Sequence, residues 1–453
     1  MKILIVGLGK VGQLLCAYLS AEGHDIVGID PIEQKVDEVV ERNDIFGICG
    51  NGANCDVLRE AGVEDADVLL AVTSSDELNI LSGLIAKRLG VRYTIARVRN
   101  PDYYTQLRFL REELGFNMIL NPEAEAANEI VRSILFPSAM KVNTFARGRV
   151  EIAEVKVTKN NRLAGIQLSD LYQISRSNIL ICAIKRGEQV YIPNGQFILE
   201  QGDHAYLTGS HKELVSFCAY THLSKKQKKK VMIIGGSKIA YFLAKQLLDQ
   251  KYSVKIIEQN ETRCIELAQR LPQASIIHAN GSDESVLEDE RVDEMDVVVT
   301  LTGIDEENMI VSLLCKNMNA KKAIAKVNNL RFTDMVDHMD IDGVISPKRI
   351  AANQILAYVR AKSNKDEDSA VRTLYKLVNE HVEALEFMAT DNFRGKKTSL
   401  ALLPVKKDIL VAAILRGRQV IVPKGNDQIL SGDRVIVVTQ RKTIRDLNDI
   451  LED

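Results

Sequence analysis

The stretch KILIVGLGKVGQLLCAYLSAEGHDIVGID, running from Lys2 to Asp30, constrains the fold of this chain more than any other. Ile3 to Val6 form an apolar run suited to a buried parallel strand, and Gly7, Gly9 and Gly12 follow it as G-x-G-x-x-G. Gly7 permits a tight turn, Gly9 presents no Cβ to an approaching pyrophosphate, and Gly12 lets the next helix close onto the strand. That helix carries Val11, Leu14, Leu15, Tyr18 and Leu19 as its core face and ends at Gly23. Ile26 to Ile29 read as a second strand, with Asp30 at its carboxyl end, where an acid can hydrogen-bond a ribose hydroxyl. A glycine pattern alone is weak. Set between a strand and an amphipathic helix, with an acid about twenty residues on, it predicts a fold for dinucleotides or adenine nucleotides.

An amphipathic helix bearing Val36, Val39 and Val40 then leads to a third strand, Ile45 to Cys49, and to Gly50-Asn51-Gly52. A short helix holding Val57 and Leu58 precedes a fourth strand, Asp67 to Val72, whose end carries Thr73-Ser74-Ser75-Asp76. Leu78 to Leu89 reads as helix, Tyr93 to Val98 as a fifth strand, Pro101 to Gly115 as helix and Met118 to Leu120 as a sixth strand. An Ala-rich helix from Pro122 to Phe136 is stopped by Pro137. This alternation predicts an α/β class, doubly wound parallel sheet with ligands at the carboxyl ends of its strands. From Met140 the pattern changes to short strands, Val150 to Val157, Ile179 to Lys185, Val190 to Pro193 and Ala205 to Thr208, then a helix around Leu214 to Tyr220. Such a segment predicts a small α+β domain.

The whole pattern then repeats. Gly7 matches Gly235 and Asp30 matches Glu258 at an offset of 228, while Asn51-Gly52 matches Asn280-Gly281 and Asp76 with Asn79 matches Asp305 with Asn308 at 229. ILICAIKRGEQVYIPNG from Ile179 recurs as ILVAAILRGRQVIVPKG from Ile409, and Gly202-Asp203 as Gly432-Asp433. Two copies of one two-lobed unit follow, overriding a domain count based on length alone. The expected boundaries are 1–137 and 231–362 for the Rossmann domains, 140–223 and 370–453 for the small lobes, and 224–230 for a Lys-rich linker.

Four loops are expected to meet in the first crevice. The glycine turn with its helix start (Gly7, Leu8, Gly9, Lys10, Val11 and Gly12) would hold phosphates through backbone amides, and Asp30 the adenosine ribose. Asn51, Gly52 and Thr73 flank them, and Arg97 is read either as a terminal-phosphate contact or as a structural partner of a helix end. Asp76 is read as the cap of the helix it precedes. An acid at position 30 repels a 2′-phosphate, favouring NAD or ATP over NADP. The second crevice is expected to use Gly235, Ser237, Lys238, Ile239, Glu258, Asn280 and Thr302; there Gly9 has become Ser237, Gly12 Ala240 and Arg97 Lys326.

Several function classes are disfavoured. A formal net charge of −2 gives no basic field for nucleic acid, and no apolar run approaches the length that spans a bilayer. Seven cysteines without a C-x-x-C, and seven histidines without an H-x-x-x-H, offer no metal site of recognisable spacing. The fourth and fifth strands, Asp67 to Val72 and Tyr93 to Val98, end without a histidine or lysine, so a dehydrogenase reading lacks its acid–base catalyst. Tyr241-x-x-x-Lys245 falls on the helix after the second glycine turn and is read as a coincidence.

The chain resembles the TrkA family, regulatory subunits of bacterial Trk potassium-uptake systems built from two RCK (KTN) units, each a TrkA-N plus a TrkA-C domain. ILIVGLGKVGQLL from Ile3, IVGID ending at Asp30, DADVLLAVTSSDELNI from Asp65 and NPEAEAANEI from Asn121 carry the resemblance. It implies tandem Rossmann (RCK-N) domains, each followed by a small RCK-C lobe, and no catalytic role. It further implies binding of NAD(H) with ATP/ADP as competing effector, and a homo-oligomer, expected as a tetramer. The implied partner is an integral-membrane potassium channel or transporter subunit of the TrkH, TrkG or KtrB type, reached from the cytoplasm at the inner face of the membrane. The rivals are an NAD-dependent oxidoreductase and a regulatory module of another cation transporter.

Overall fold

The computed structural model describes residues 1–104, 106–135, 141–145, 149–159, 162–220, 230–329, 339–363, 371, 373–378, 381–441 and 444–452. Its chain divides into two compact units, Met1–Ala127 with Ser346–Leu356, and Asn128–Ile345 with Ala357–Asp453.

In the first unit, β1 (Lys2–Val6), β2 (Asp25–Asp30), β3 (Phe46–Cys49), β4 (Val68–Ala71), β5 (Tyr93–Arg97) and β6 (Met118–Leu120) form one parallel sheet in the order β3-β2-β1-β4-β5-β6. This is the doubly wound order whose switch point lies between β1 and β4. Ile3, Leu4 and Ile5 of β1 are wholly buried, which a central strand covered on both faces requires. Helix α1 (Lys10–Ala21) buries Val11, Leu14, Leu15 and Leu19 as expected, and Cys16 as well, while Tyr18 is half-buried. Helix α2 (Glu33–Arg42) buries Val36 and Val39 and leaves Val40 39% exposed, so only two of its three expected core residues serve. The remaining helices here are α3 (Cys55–Glu60), α4 (Asp76–Arg88), α5 (Pro101–Tyr104) and α6 (Leu107–Glu113). The single helix expected from Pro101 is therefore described as two short ones. Helix α7 (Pro122–Leu135) follows β6, and its stop at Phe136-Pro137 lies outside the described residues.

The second unit holds the other Rossmann sheet and both small lobes. Strands β12 (Lys230–Ile234), β13 (Ser253–Glu258), β14 (Ser275–His278), β15 (Val297–Thr300), β16 (Ala323–Lys326) and β17 (Gly343–Ile345) repeat the first order as β14-β13-β12-β15-β16-β17. Helices α10 (Lys238–Asp249), α11 (Glu261–Arg270), α12 (Glu284–Asp289) and α13 (Asp305–Asn317) accompany them. Residues 224–229 of the Lys-rich linker lie outside the described residues, and Lys230 already belongs to β12.

The first small lobe is an antiparallel sheet of β7 (Lys141–Phe145), β8 (Val150–Lys156), β9 (Leu180–Arg186), β10 (Gln189–Tyr191) and β11 (His204–Gly209), ordered β10-β9-β11-β8-β7. Strand β7 was not expected from the sequence. Short helix α8 (Leu171–Ser175) and helix α9 (His211–Tyr220) complete the lobe. The second lobe has the same plan, with β18 (Thr373–Leu377), β19 (Val382–Met388), β20 (Ile409–Arg416), β21 (Gln419–Ile421) and β22 (Arg434–Thr439). Both lobes bury an aspartate under a bidentate arginine: Arg186 grips Asp203 through Nε and Nη2 at 2.8 Å each, and Arg416 grips Asp433 at 3.0 and 2.8 Å. Two parallel charge-assisted bonds offset the desolvation of a buried carboxylate. The two lobes also share one core, in which Phe145, Val150, Ile152 and Tyr206 meet Leu377, Val382, Ala384 and Ile436.

Candidate functional site

In the first copy, Gly7 adopts φ +97°, and a Cβ there would stand 2.8 Å from the Thr73 backbone. Both facts require glycine. A Cβ at Gly12 would stand 1.9 Å from the Gly7 carbonyl oxygen, so the helix can approach the turn only without one. Gly9 differs: it has φ −73°, and a Cβ there would meet nothing within 4 Å. Packing demands glycine at two of the three positions and leaves Gly9 without a structural reason. Gly9 also caps α1 without any side-chain hydrogen bond, so the helix amides are not answered from the cap position.

Asp30 is 5% exposed and accepts the Leu8 N–H at 2.8 Å through Oδ2 and the Ile32 N–H at 3.1 Å through Oδ1, with Lys35 Nζ at 3.8 Å. The acid is thus held against the glycine turn. Two backbone donors leave further lone pairs on a carboxylate for a diol. Leu8 and Val11 are buried, so they can offer a ligand only backbone atoms, whereas Lys10 is exposed. Asn51 closes its own loop by accepting the Ala53 N–H at 3.0 Å, and Gly52 leaves room for Val6, whose Cγ1 would lie 2.2 Å from a Cβ. Thr73 is stapled to α4: its N–H and its hydroxyl both donate to Asn79 Oδ1, at 2.8 and 2.7 Å. Asn79 itself donates to the Arg97 carbonyl at 2.8 Å, tying the β4 turn to the end of β5.

Asp76 does not cap α4. That cap is Ser75, whose hydroxyl accepts the Leu78 N–H at 3.2 Å. Asp76 lies in the first turn, buried, and accepts the Arg99 and Asn100 N–H groups at 2.9 and 2.7 Å. A residue 23 positions on decides its role, which no local pattern reveals. Arg97 donates through Nη2 to the Thr73 carbonyl, at a loop rather than a helix end, while its buried Nε has no hydrogen-bond partner. Burial, with Arg99 beside it, pushes its guanidinium down to about 10.

The second crevice has a volume of about 420 Å³ and is lined by Gly235, Gly236, Ser237, Glu258, Gln259, Asn260, Arg263, Asn280, Gly281, Thr302, Gly303 and Glu307 among others. All four expected loops reach it. Of the expected residues, Gly235, Ser237, Glu258, Asn280 and Thr302 line it; Lys238 and Ile239 do not, and Ile239 is buried. Glu258 repeats the Asp30 geometry, accepting Gly236 N–H at 2.5 Å and Asn260 N–H at 2.7 Å. Asn308 repeats Asn79, accepting Thr302 N–H at 2.8 Å and donating to the Lys326 carbonyl at 3.0 Å. Ser237 departs from Gly9, because its hydroxyl accepts the Ala240 N–H at 3.4 Å and caps α10. Tyr241 does not line the crevice: it meets Phe242 edge to face and lies beneath the Arg270 guanidinium.

Arg263 and Glu307 were not singled out from the sequence. Arg263 lays its guanidinium across the glycine turn, with Nε donating to the Gly236 carbonyl at 2.6 Å and Nη1 meeting Glu266 at 2.6 Å. Its only sequence signal is its place three residues after the helix cap Asn260. Asn79 and Asn308 were visible as a repeat, but their bonding was not. Among the described residues, no group of three or more His, Cys, Asp or Glu side chains is placed to hold a metal ion, and no helix is long and apolar enough to cross a membrane.

Comparison with known proteins places these features in a family. The TrkA-N domain matches residues 3–122 and 231–347, and the TrkA-C domain matches residues 152–222 and 383–452. The Trk system potassium uptake protein TrkA homolog of Archaeoglobus fulgidus is 32% identical over 450 residues, covering 99% of this chain and all of the relative. The Trk system potassium uptake protein TrkA of Halomonas elongata is 31% identical, covering 100% of this chain and 99% of its own length. Among solved structures, the GsuK RCK domain superposes with a TM-score of 0.64 at 17% identity, covering 96% of this chain and 92% of that one. A GsuK channel bound to NAD gives 0.63 at 17% identity, with 97% of this chain and 76% of that one covered. At such identities the likeness shows the fold alone.

Proposed function

The chain belongs to the TrkA family of Trk-system potassium uptake proteins, and from that premise we propose that it is a nucleotide-sensing regulatory subunit that binds NAD(H) and ATP/ADP and gates potassium uptake through a membrane partner. Gly9 carries this reading: a glycine that neither backbone conformation nor packing requires, at the mouth of a helix N-terminus, is explained by a ligand that needs its space. Asp30, pinned beside it, takes the adenosine ribose, and the amides from Gly9 to Gly12 take the phosphates. Gly235, Ser237, Glu258, Asn280 and Thr302 do the same in the second copy. A fold neighbour that is a channel bound to NAD supports the ligand class.

The bound nucleotide acts as an effector. It shifts a conformational equilibrium by the difference between its affinities for two states, and NADH and ATP differ in length and charge beyond the shared adenosine. In this reading the chain works as a homo-oligomer, a tetramer, on the cytoplasmic face of the membrane beneath a TrkH-, TrkG- or KtrB-type subunit.

The test is a fluorescence titration of the purified protein with NADH, chased with ATP, for the parent and for Asp30→Ala. Saturable NADH binding that ATP displaces, that Asp30→Ala weakens about tenfold or more, and that consumes no NADH supports the reading. Oxidation of NADH with a carbonyl substrate would move it to the oxidoreductase rival. Nucleotide binding without any effect on potassium flux through a reconstituted partner would remove the gating half.

A further inference from the structure

The two crevices share one plan but not one charge. The first helix N-terminus is capped by Gly9 with no acceptor side chain, whereas Ser237 turns its hydroxyl onto the Ala240 N–H and so answers one of the donors a phosphate would use. Two carboxylates, Glu258 and Glu307, line the second crevice. The position of Glu307 is Leu78 in the first copy. The cation on the second wall, Arg263, is already committed to the Gly236 carbonyl and to Glu266, both at 2.6 Å. At the ends of the fifth strands, Arg97 and Arg99 of the first copy correspond to Lys326 and Asn328 of the second, which has one positive charge fewer there, that of Arg99, itself 3.8 Å from Asp76. The changes from Gly9 to Ser237, Leu78 to Glu307 and Arg99 to Asn328 run in the same direction, against a highly anionic ligand.

We propose that the second crevice selects by ligand charge: it takes an adenine dinucleotide, whose two phosphates carry little charge, and rejects a nucleoside triphosphate, leaving ATP to the first crevice. This rests on the nucleotide-binding reading above. Its physical basis is ordinary Coulomb repulsion in a partly enclosed site, which grows with each added phosphate charge while the adenosine contacts stay the same. Glu258 keeps the ribose contact that both ligand types share, and Glu307 with Ser237 sets the penalty on the phosphate chain. The cavity, about 420 Å³, falls in the range of small-molecule sites.

The experiment isolates the second crevice in the full-length chain. Gly9→Tyr sets a bulky ring at the first glycine turn, where a Cβ meets nothing within 4 Å, and so obstructs the first crevice. Calorimetric titrations with NADH and with ATP are then run on the parent, on Gly9→Tyr, and on Gly9→Tyr carrying Glu307→Leu and Ser237→Gly. The expectation is that Gly9→Tyr keeps a NADH site, binds ATP at least about tenfold more weakly than the parent does, and regains most of that factor in the triple variant, with NADH affinity changed less than about threefold. Glu307→Gln in place of the double change, nearly isosteric, should recover part of the ATP binding and serves if the triple variant does not fold. An ATP-to-NADH affinity ratio equal in the parent and Gly9→Tyr, or one unmoved by either second-crevice change, overturns the proposal. So does a Gly9→Tyr chain that binds neither ligand while the parent binds both, an outcome that leaves the first crevice standing. A parent that binds neither overturns the nucleotide reading itself.

Discussion

Leu8 lies over the bare α-carbon of Gly28: a Cβ added at Gly28 would stand 3.0 and 3.1 Å from the two Leu8 methyl carbons. In the second copy the pair is inverted, with Gly236 at the first position and Ile256 at the second, and Leu267 fills the space where a Gly236 Cβ would stand, 2.7 Å away. The apolar volume beneath the glycine turn is kept and redistributed. Because the Leu8 and Gly236 N–H groups each hold one oxygen of Asp30 and Glu258, this packing helps set where each acid sits.

Gly28→Ile alone overpacks the first copy and should cost about 1–3 kcal/mol, and Leu8→Gly alone opens a cavity and should cost about 3–5 kcal/mol. The double variant should be more stable than the sum of the two, with a coupling above about 1 kcal/mol. Thermal melts of the four proteins check this, read at the transition that the single variants move. Strict additivity would mean that the inversion between copies is accidental.

Gly9 and Gly12 should separate function from structure. Gly12→Ala forces a methyl group to 1.9 Å from the Gly7 carbonyl and should destabilise the first unit by about 1–3 kcal/mol, although the second copy carries Ala240 at that position. Gly9→Ser introduces the residue of the second copy, a better helix cap than glycine, and should leave stability unchanged or raise it by a few tenths of a kcal/mol while weakening nucleotide binding. Melting temperature and NADH titration, measured on both variants, give the comparison.

The parallel sheets, their glycine turns and the duplication are legible in the sequence because each is written in local periodicity and in a near-constant offset between copies. Asp76 was misread because Ser75 and Asp76 both suit a helix start, and the choice is made by amides at Arg99 and Asn100. Strand β7 escaped notice because KVNTF alternates only weakly, and what commits it to the sheet is pairing with β8 and a core shared with the other lobe. Arg263 and Glu307 sit on helices whose charged residues look like solvated faces. Only the folded chain turns them toward the crevice.

Asn79 and Asn308 should be as costly to lose as core residues. Each is wholly buried and bridges the β4 or β15 turn to the end of the next strand. Asn79→Ala leaves the Thr73 N–H and the Arg97 carbonyl without that partner and should cost about 2–3 kcal/mol. Hydrogen exchange at the Thr73 amide should rise before global unfolding, and unchanged protection there would refute the staple.

Glu151 gives the first small lobe a pH dependence of known sign. Burial holds its carboxyl above the ordinary 4.5 against the opposing pull of His211 and Arg132. An acid raised in the folded state favours folding while protonated, so its contribution is fully present below 4.5 and is lost as pH rises through the raised folded value. Glu151→Gln should therefore lose less stability than the parent between acidic and neutral pH. Melts at both ends of that window decide it, and parallel curves would show that His211 and Arg132 cancel the burial penalty.

Thiol chemistry can report on the first crevice. Cys16, Cys182 and Cys315 are buried and pushed up to about 12, and Cys218 to about 11, so at neutral pH they are protonated and shielded. Cys49 and Cys55 are exposed. Alkylation of the native chain should thus modify these two first and the five buried thiols, Cys264 included, only on unfolding. Cys49 is the cross-strand neighbour of Asp30, whereas Cys55 opens α3 beyond the Asn51-Gly52 loop. A nucleotide whose ribose sits on Asp30 should slow alkylation at Cys49 several-fold and at Cys55 less, a difference mass spectrometry of the labelled peptides resolves. Equal protection of both would point to a global tightening of the domain, and protection of neither would place the ligand away from Asp30.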